Sequence, residues 1–456
     1  MRIVVKVSRI RIIITIIVVV LTTLLTGCTG KEPNEIAYVV ALGIDSTDDD
    51  NYKITIQYAN TTQISGGASE SGGKAGSEIV DNVTIEAPNI YAGVGLANNI
   101  VSKSFSMSHA KLIVFSKEIA EKGVKDMIET LVRSEEIRPD VFIAVANTTA
   151  NDYLTSVNPE MEVNPAQYYQ LIYQKNQLVG IPDGQLREFF TGLYTDNYDS
   201  ILPVAGVIEG SGSNRQNDDK GQSKDGQNEG SEGSSESLDS FESKSSDDKD
   251  ENEKEKDAEK NTSKYEYDIK NYVGGETAIE KKNKAEAIGA AVFEKDKMVG
   301  ELGEVETEIC KILKGDYTYS YLTYYNNDTP DIPITVKTTQ QKKPKYKIDT
   351  DKKTVDIELY IESDLYSLPA DYNVENKIED FERDVANYTS SACTEFINNF
   401  TKKYNSDILK LNEKVKYKFL TNNQYNWFKK NVGWSEYKFS VCTNFKVRRT
   451  GLIVRE

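Results

Sequence analysis

The sequence predicts a multidomain protein of the α+β / α/β class. It should hold mixed β-sheets, a long C-terminal amphipathic helix packed on an antiparallel sheet, and a disordered acidic linker between two folded units. Three observations carry that expectation. Apolar runs of strand length alternate with helical stretches over residues 31–208, the pattern of an α/β unit. From 209 to 264 the composition shifts to Gly, Ser, Asn, Asp, Glu and Lys. Beyond 265, an apolar stripe at helical spacing precedes a long alternating strand. A length of 456 residues leaves room for about two to three domains.

The chain begins with Arg2, Lys6, Arg9 and Arg11, and residues 12–25 are then apolar except for Thr15, Thr22 and Thr23. A basic stretch followed by an apolar one is the layout of a secretory signal. The apolar run is short for a bilayer span of about 20 residues, which weighs against a plain transmembrane anchor. It ends in Leu25, Thr26, Gly27 and Cys28: an aliphatic residue, two small ones and a cysteine, the arrangement of a bacterial lipobox. Small residues let the chain enter the signal peptidase cleft, and the Cys28 thiol is the nucleophile that receives the diacylglycerol. Residues 1–27 are therefore read as a signal peptide and Cys28 as a lipidated N-terminus on the outer face of a membrane. Cleavage would remove four positive charges and take the net charge from −17 to −21. So acidic a chain is repelled by anionic lipid, and membrane affinity is assigned to the acyl chains.

Residues 28–208 read as an N-terminal α/β domain. Ile36–Ile44 is a strand, and Tyr52, Ile54, Ile56 and Tyr58 alternate with polar residues in a second one. Asp48, Asp49, Asp50 and Asn51 form the turn between them, and Ser65–Ser77 is a Gly/Ser-rich loop. Val80–Glu86 is a strand, and Pro88-Asn89 opens a helix to about Ser102. Ala110–Phe115 is a strand, Glu118–Arg133 a helix broken at Gly123, and Val141–Ala146 a further strand. Helices follow near 151–157, 167–174 and 184–193, and Ile201–Ile208 returns to strand.

Residues 209–264 form the acidic linker. Ser211–Lys260 holds 16 acidic and 8 basic residues, a charge of −8, with Leu238 and Phe241 its sizeable apolar residues. Such a stretch cannot bury enough surface to offset its conformational entropy.

Residues 265–456 read as a C-terminal α+β domain, divisible into two subdomains. Ile288–Phe293 and Met298–Leu302 form a hairpin, followed by a helix from Glu304 to Leu313 and a strand over Tyr319–Tyr325. Val355, Ile357, Leu359 and Ile361 alternate with polar or amphipathic residues. Val374, Ile378, Phe381, Val385, Tyr388, Ala392, Phe396 and Phe400 step by three or four into one helical stripe. Tyr437, Phe439, Val441, Phe445 and Val447 then mark a last strand with one buried face.

Candidate sites are few. A net charge of −17 with no basic cluster apparent excludes a nucleic-acid binder. One histidine and four cysteines, with Cys28 committed to lipid, leave no zinc-ligand pattern, and neither metal nor other cofactor is expected. His109 is read as a capped or buried structural histidine, since no G-x-S-x-G elbow accompanies it. The acidic run Asp48–Asn51 lacks the glycine and distal glutamate of a calcium loop. Gly93-Val94-Gly95 lies inside a predicted helix, away from any strand–helix junction that could cradle phosphate. Cys310, Cys393 and Cys442 read as buried or half-buried thiols, with a bridge between two of them left open. The 27 tyrosines are assigned to core or interface.

Several segments resemble one family. Ile36–Asp45 is similar to the early "ALGID" strand of the Ger(x)C (GerAC-like) spore-germination lipoproteins, the C subunits of germinant receptors. Ser108–Val114 is similar to its histidine-bearing strand. Leu131-Val132-Arg133 with Arg138-Pro139 resembles its arginine region. Gly289–Phe293 with Asp296–Gly300 resembles its hairpin, and Val447–Gly451 its terminal motif. The acidic insert and the cysteines Cys310, Cys393 and Cys442 depart from the pattern. The resemblance implies a lipid-anchored, non-enzymatic subunit on the outer surface of the inner spore membrane. It further implies partnership with a polytopic A subunit and a transporter-like B subunit, and a role in the response to small nutrients. A substrate-binding lipoprotein of an importer is the alternative. A long linker between dissimilar halves argues against closure on a ligand. A cell-envelope hydrolase is disfavoured by the lack of histidine and of a motif.

Cys28→Ala is expected to abolish acylation and signal-peptide cleavage. Metabolic fatty-acid labelling checks it: label retained on the variant contradicts the lipobox.

Overall fold

The computed structural model describes residues 13–18, 32–49, 51–59, 80–158, 162, 164–174, 180–195, 197–208, 265–267, 271–277, 283–326, 329–367, 377–404 and 406–450. The lipobox, the Gly/Ser-rich loop at 65–77, the acidic linker and Val374 lie outside them.

The first sheet grows from a centre of largely apolar strands, flanked by strands that carry polar residues. In chain order these are β1 (Ile36–Ser46), β2 (Tyr52–Ala59), β3 (Val80–Ala87), β4 (Ser104–Ser106), β5 (Leu112–Ser116), β6 (Phe142–Ala146) and β7 (Ile201–Val207). The central β1, β5, β6 and β7 run parallel, and parallel strands need cover on both faces. Helices α1 (Ile90–Ala97), α2 (Lys117–Lys122), α3 (Lys125–Val132) and α6 (Leu186–Thr195) bury one face. Helices α4 (Ala150–Ser156) and α5 (Pro165–Gln174) bury the other. The expected break at Gly123 separates α2 from α3, with φ +124° at the glycine. β2 runs antiparallel to β1, and Asp48 and Asp49 turn between them.

After β8 (Tyr265–Tyr267), the hairpin β9 (Ala285–Glu294) and β10 (Lys297–Leu302) forms where expected. Its placement differs from the sequence reading, which left it with the second unit. β9 lies antiparallel to β7, from Ile201↔Val292 to Val207↔Ala285, and completes the first sheet in the order β10-β9-β7-β6-β5-β1-β2-β3, with β4 on β1. At Gly289 the strand carries an extra residue with φ +86°, and a Cβ there would sit 2.6 Å from the Leu302 carbonyl. Only glycine fits such a bulge. β9 also alternates between two cores: Ala290 and Val292 face the C-terminal cluster, Ala291 and Phe293 the N-terminal one. The described residues before 209 and after 264 consequently form one compact unit.

The second sheet follows α7 (Glu304–Lys314). Its strands are β11 (Tyr319–Asn326), β12 (Thr329–Thr339), β13 (Lys345–Asp349), β14 (Thr354–Ser367) and β15 (Lys438–Arg449), with β8 at one edge. Between β14 and β15 come α8 (Ile378–Tyr404), α9 (Leu411–Val415) and α10 (Asn422–Asn431). The sheet is antiparallel except at β15, which runs parallel to β14. Phe381, Val385, Phe396 and Phe400 of the expected stripe are buried, and Phe381 packs edge-on against Tyr324 and Phe445.

α8 also closes the free edge of β15. The backbone N–H groups of Phe439, Val441, Thr443 and Val447 donate to side chains of Asn398 (3.1 Å), Thr394 (3.0 Å), Ser390 (2.9 Å) and Glu382 (2.8 Å). Four helical residues rise about 6 Å and two strand residues about 6.6 Å, so the two ladders stay in step. An unpaired strand edge would otherwise template aggregation.

Asn398 both accepts from Phe439 N and donates to Phe439 O. Asn398→Ala should destabilise the protein by about 1–3 kcal/mol, because it strands part-buried backbone groups. The exposed neighbour Asn399→Ala should change it by less than about 0.5 kcal/mol. Urea unfolding of both variants measures the difference.

Candidate functional site

The residues singled out from sequence divide sharply. Cys28, Leu25, Thr26 and Gly27 lie outside the described residues. His109 is exposed, with Ser108 Oγ 3.0 Å from its Nδ1 and the Tyr38 ring edge-on at 4.8 Å; it is capped but not buried. Asp45, the acid of the "ALGID" segment, accepts from the N–H groups of Ala150 (2.6 Å) and Asn151 (3.0 Å). It therefore anchors α4 on the end of β1, and burial raises its pKa. Gly93 packs on Ile54 inside α1, far from any phosphate-loop geometry. Cys310 and Cys393 are buried free thiols pushed up to about 11 and about 12 by desolvation, and Cys442 is an exposed free thiol. Among the described residues no cluster of His, Cys, Asp and Glu could hold a metal ion, and no helix is long and apolar enough to cross a membrane.

The most heavily built polar feature was not visible in sequence. It is a joint where the segment before β7, the β9–β10 turn and residues 406–434 converge. Asp407 N donates to Asp199 Oδ2 (2.8 Å), and Asp199 N donates to Asp407 O (3.1 Å). Lys295 N donates to Asp199 Oδ1 (3.2 Å). The buried Asp407 carboxylate accepts from Leu411 N (2.7 Å) and Asn412 N (2.8 Å) in the first turn of α9. Asn412 in turn accepts from Trp434 Nε1 (3.1 Å) and Tyr425 Oη (3.1 Å), and Tyr425 reaches Asn197 at 3.0 Å. Lys410 pairs with Glu188 and lies 4.3 Å over the Tyr198 ring. A cleft of about 560 Å³ opens beside these groups, lined by Asp199, Lys295, Asp407 and Trp434 among others.

Burial drives the Asp407 carboxyl up to about 7, with the charge of Asp199 adding and the two backbone donors opposing. That value would suit a general base, but both oxygens already serve the first turn of α9. A second carboxyl, Glu308 on α7, is also pushed up to about 7 by desolvation and by Glu304. It sits under an apolar layer with Tyr324 and Tyr388, and its Oε1 has no hydrogen-bond partner. What this arrangement does chemically is hold two halves of a chain in register.

Comparison with known proteins gives two family matches in order. Residues 30–207 match the model described as "Spore germination protein N-terminal domain", and residues 288–451 match "Spore germination B3/ GerAC like, C-terminal". The chain is similar to "Spore germination protein KC" of Bacillus subtilis (strain 168), 26% identical over 174 residues, 35% of this chain and 42% of that protein. It is also similar to "Putative spore germination protein YfkR" of the same organism, 28% identical over 145 residues, 32% of this chain and 37% of that protein. The matches thus span about two fifths of those relatives' lengths. Among solved structures, "Crystal Structure of the GerBC protein" aligns with a TM-score of 0.47 at 14% identity, covering 89% of this chain and 96% of that one.

The two raised carboxyls give stability a definite pH dependence. On unfolding each returns to its ordinary value, 3.8 for Asp407 and 4.5 for Glu308. The folded state thus binds the proton more tightly. Their contribution is complete below about pH 4 and is lost as pH rises toward 7, at up to about 1.4 kcal/mol per pH unit for each group. Between about pH 5 and 6.5, Asp407→Asn and Glu308→Gln should each flatten the fall of stability with rising pH, and their effects should add. Urea midpoints across that range check it; slopes equal to that of the parent contradict it.

Proposed function

Because this chain belongs to the GerAC-like family of spore germination proteins, we propose that it is the lipid-anchored, non-enzymatic C subunit of a nutrient germinant receptor. Cys28 carries the acyl chains, and the folded unit stands on the outer surface of the inner spore membrane. There it assembles with a polytopic A subunit and a transporter-like B subunit. The observation that carries the reading is the pair of family domains, in order, behind a lipobox. The site chemistry supports a scaffold: the single imidazole is exposed and capped by serine, and the buried carboxylate of the joint is occupied by backbone donors.

On this reading the fold is the activity. Spores lacking the chain should lose germination in response to nutrients yet still germinate with a trigger that acts downstream of the receptor. The tagged chain should bring a polytopic and a transporter-like membrane protein with it from spore membranes. Nutrient germination at the parental rate, or a pull-down containing importer permeases instead, would refute the assignment.

A further inference from the structure

The whole-chain charge of −17 conceals a basic end. Residues 410–430 contain six lysines against the single acid Glu413. The same stretch holds the most exposed large apolar side chains among the described residues of the C-terminal half: Leu420 at 95%, Tyr417 at 92% and Trp427 at 64%. Leu420 and Trp427 flank one shallow groove with Phe419. Lys416 and Lys430 are exposed beside them, and Lys418 bonds the Ile348 carbonyl from the same turn. The polar elements beneath fix this tip to the joint, since Lys429 on α10 donates to Thr195 O at 3.0 Å and Tyr425 to Asn197 at 3.0 Å. An amphipathic aromatic with leucine, ringed by lysine, is the composition that settles at a bilayer's headgroup level.

The topology puts this tip on the anchor's side of the molecule. Through the parallel registers, Ala41 of β1 is level with Leu112, Leu112 with Phe142, and the β6–β7 pairing brings Ile201 to the same level. The residues that α10 grips, Thr195 and Asn197, precede Ile201, so they lie at the edge where the parallel strands begin. β1 enters at that edge too. β7 is three strands from β1, about 14 Å. Cys28 precedes Ile36 by eight residues, a tether of at most about 28 Å.

We propose that the Tyr417–Leu420–Trp427 tip with its lysines is a second membrane contact, seated in the headgroup region of an anionic bilayer. It fixes the orientation of a protein whose acyl anchor alone would leave it free to swing. The inference rests on the reading of Cys28 as the lipid anchor. It also revises the expectation that charge keeps this chain off anionic lipid: the net charge repels, while this end attracts.

The test uses the full acylated chain reconstituted in vesicles containing phosphatidylglycerol, with phosphatidylcholine either plain or brominated in its acyl chains. Flotation reads the anchor. Tryptophan emission reads the tip, because Trp434 is buried at 4% exposure and Trp427 is the other tryptophan. Brominated lipid should quench the emission. The quenching should vanish in Trp427→Phe while flotation persists, and should fall several-fold in Lys416→Glu/Lys430→Glu or in vesicles without anionic lipid. A chain that floats with no bromolipid quenching, or with quenching unchanged in Trp427→Phe, overturns the second contact and leaves the anchor standing. A chain that does not float overturns the anchor, and this proposal with it. Shielding of Trp427 that appears only when protein partners are co-reconstituted gives the surface to a protein and also overturns the lipid contact.

Discussion

The antiparallel pairing of β7 with β9 is the constraint on which the rest of the structure depends. β7 ends the N-terminal half of the chain and β9 begins after the acidic insert, yet they are neighbours in one sheet. Remove the pairing, and Leu202 and Val204 become a bare apolar edge, while Ala290–Phe293 lose cover on both faces. Because successive residues of β9 face different clusters, one strand forms a wall of both cores. The length of the intervening segment matters little to this arrangement, since doubling a flexible loop costs only about 0.6 kcal/mol in closure entropy. A long acidic excursion can therefore be carried between two strands of the same sheet.

Two further devices keep the united halves rigid. The Asp199–Asp407 exchange locks the chain before β7 to the chain after α8. The row of acceptors Glu382, Ser390, Thr394 and Asn398 along α8 covers the last strand. Both satisfy backbone N–H groups that an apolar contact would leave unpaired, and both set register as well as proximity. A surface ordered in advance loses less conformational freedom on binding than one that must fold on contact.

Much of this was legible in the sequence, and the gaps have physical causes. Periodicity exposed β2, the α8 stripe and the alternation of β15, because each sets its apolar residues on one face or one stripe, and β1 stood out as a continuous apolar run. The β9–β10 hairpin was also visible, but its sheet was not. β9 is buried on both faces and offers no polar alternation, and its partner lies beyond the acidic segment. β12 and β13 were missed because Lys337 and Lys342–Lys347 make that stretch read as loop; cross-strand pairing, not propensity, holds it extended. Alternation says nothing about direction, so the parallel course of β15 was hidden. The joint escaped because Asp199 and Asp407 stand more than 200 residues apart. The basic, aromatic end at 410–430 did leave a local signal, but the whole-chain charge masked it.

The segments on either side of the insert form one body through β7 and β9. Introducing a protease site within residues 210–263 and cutting the purified chain tests it most directly. The two fragments are expected to remain together on gel filtration and to unfold in a single transition close to that of the uncut protein. Fragments that separate under native conditions, or that melt independently, would contradict it.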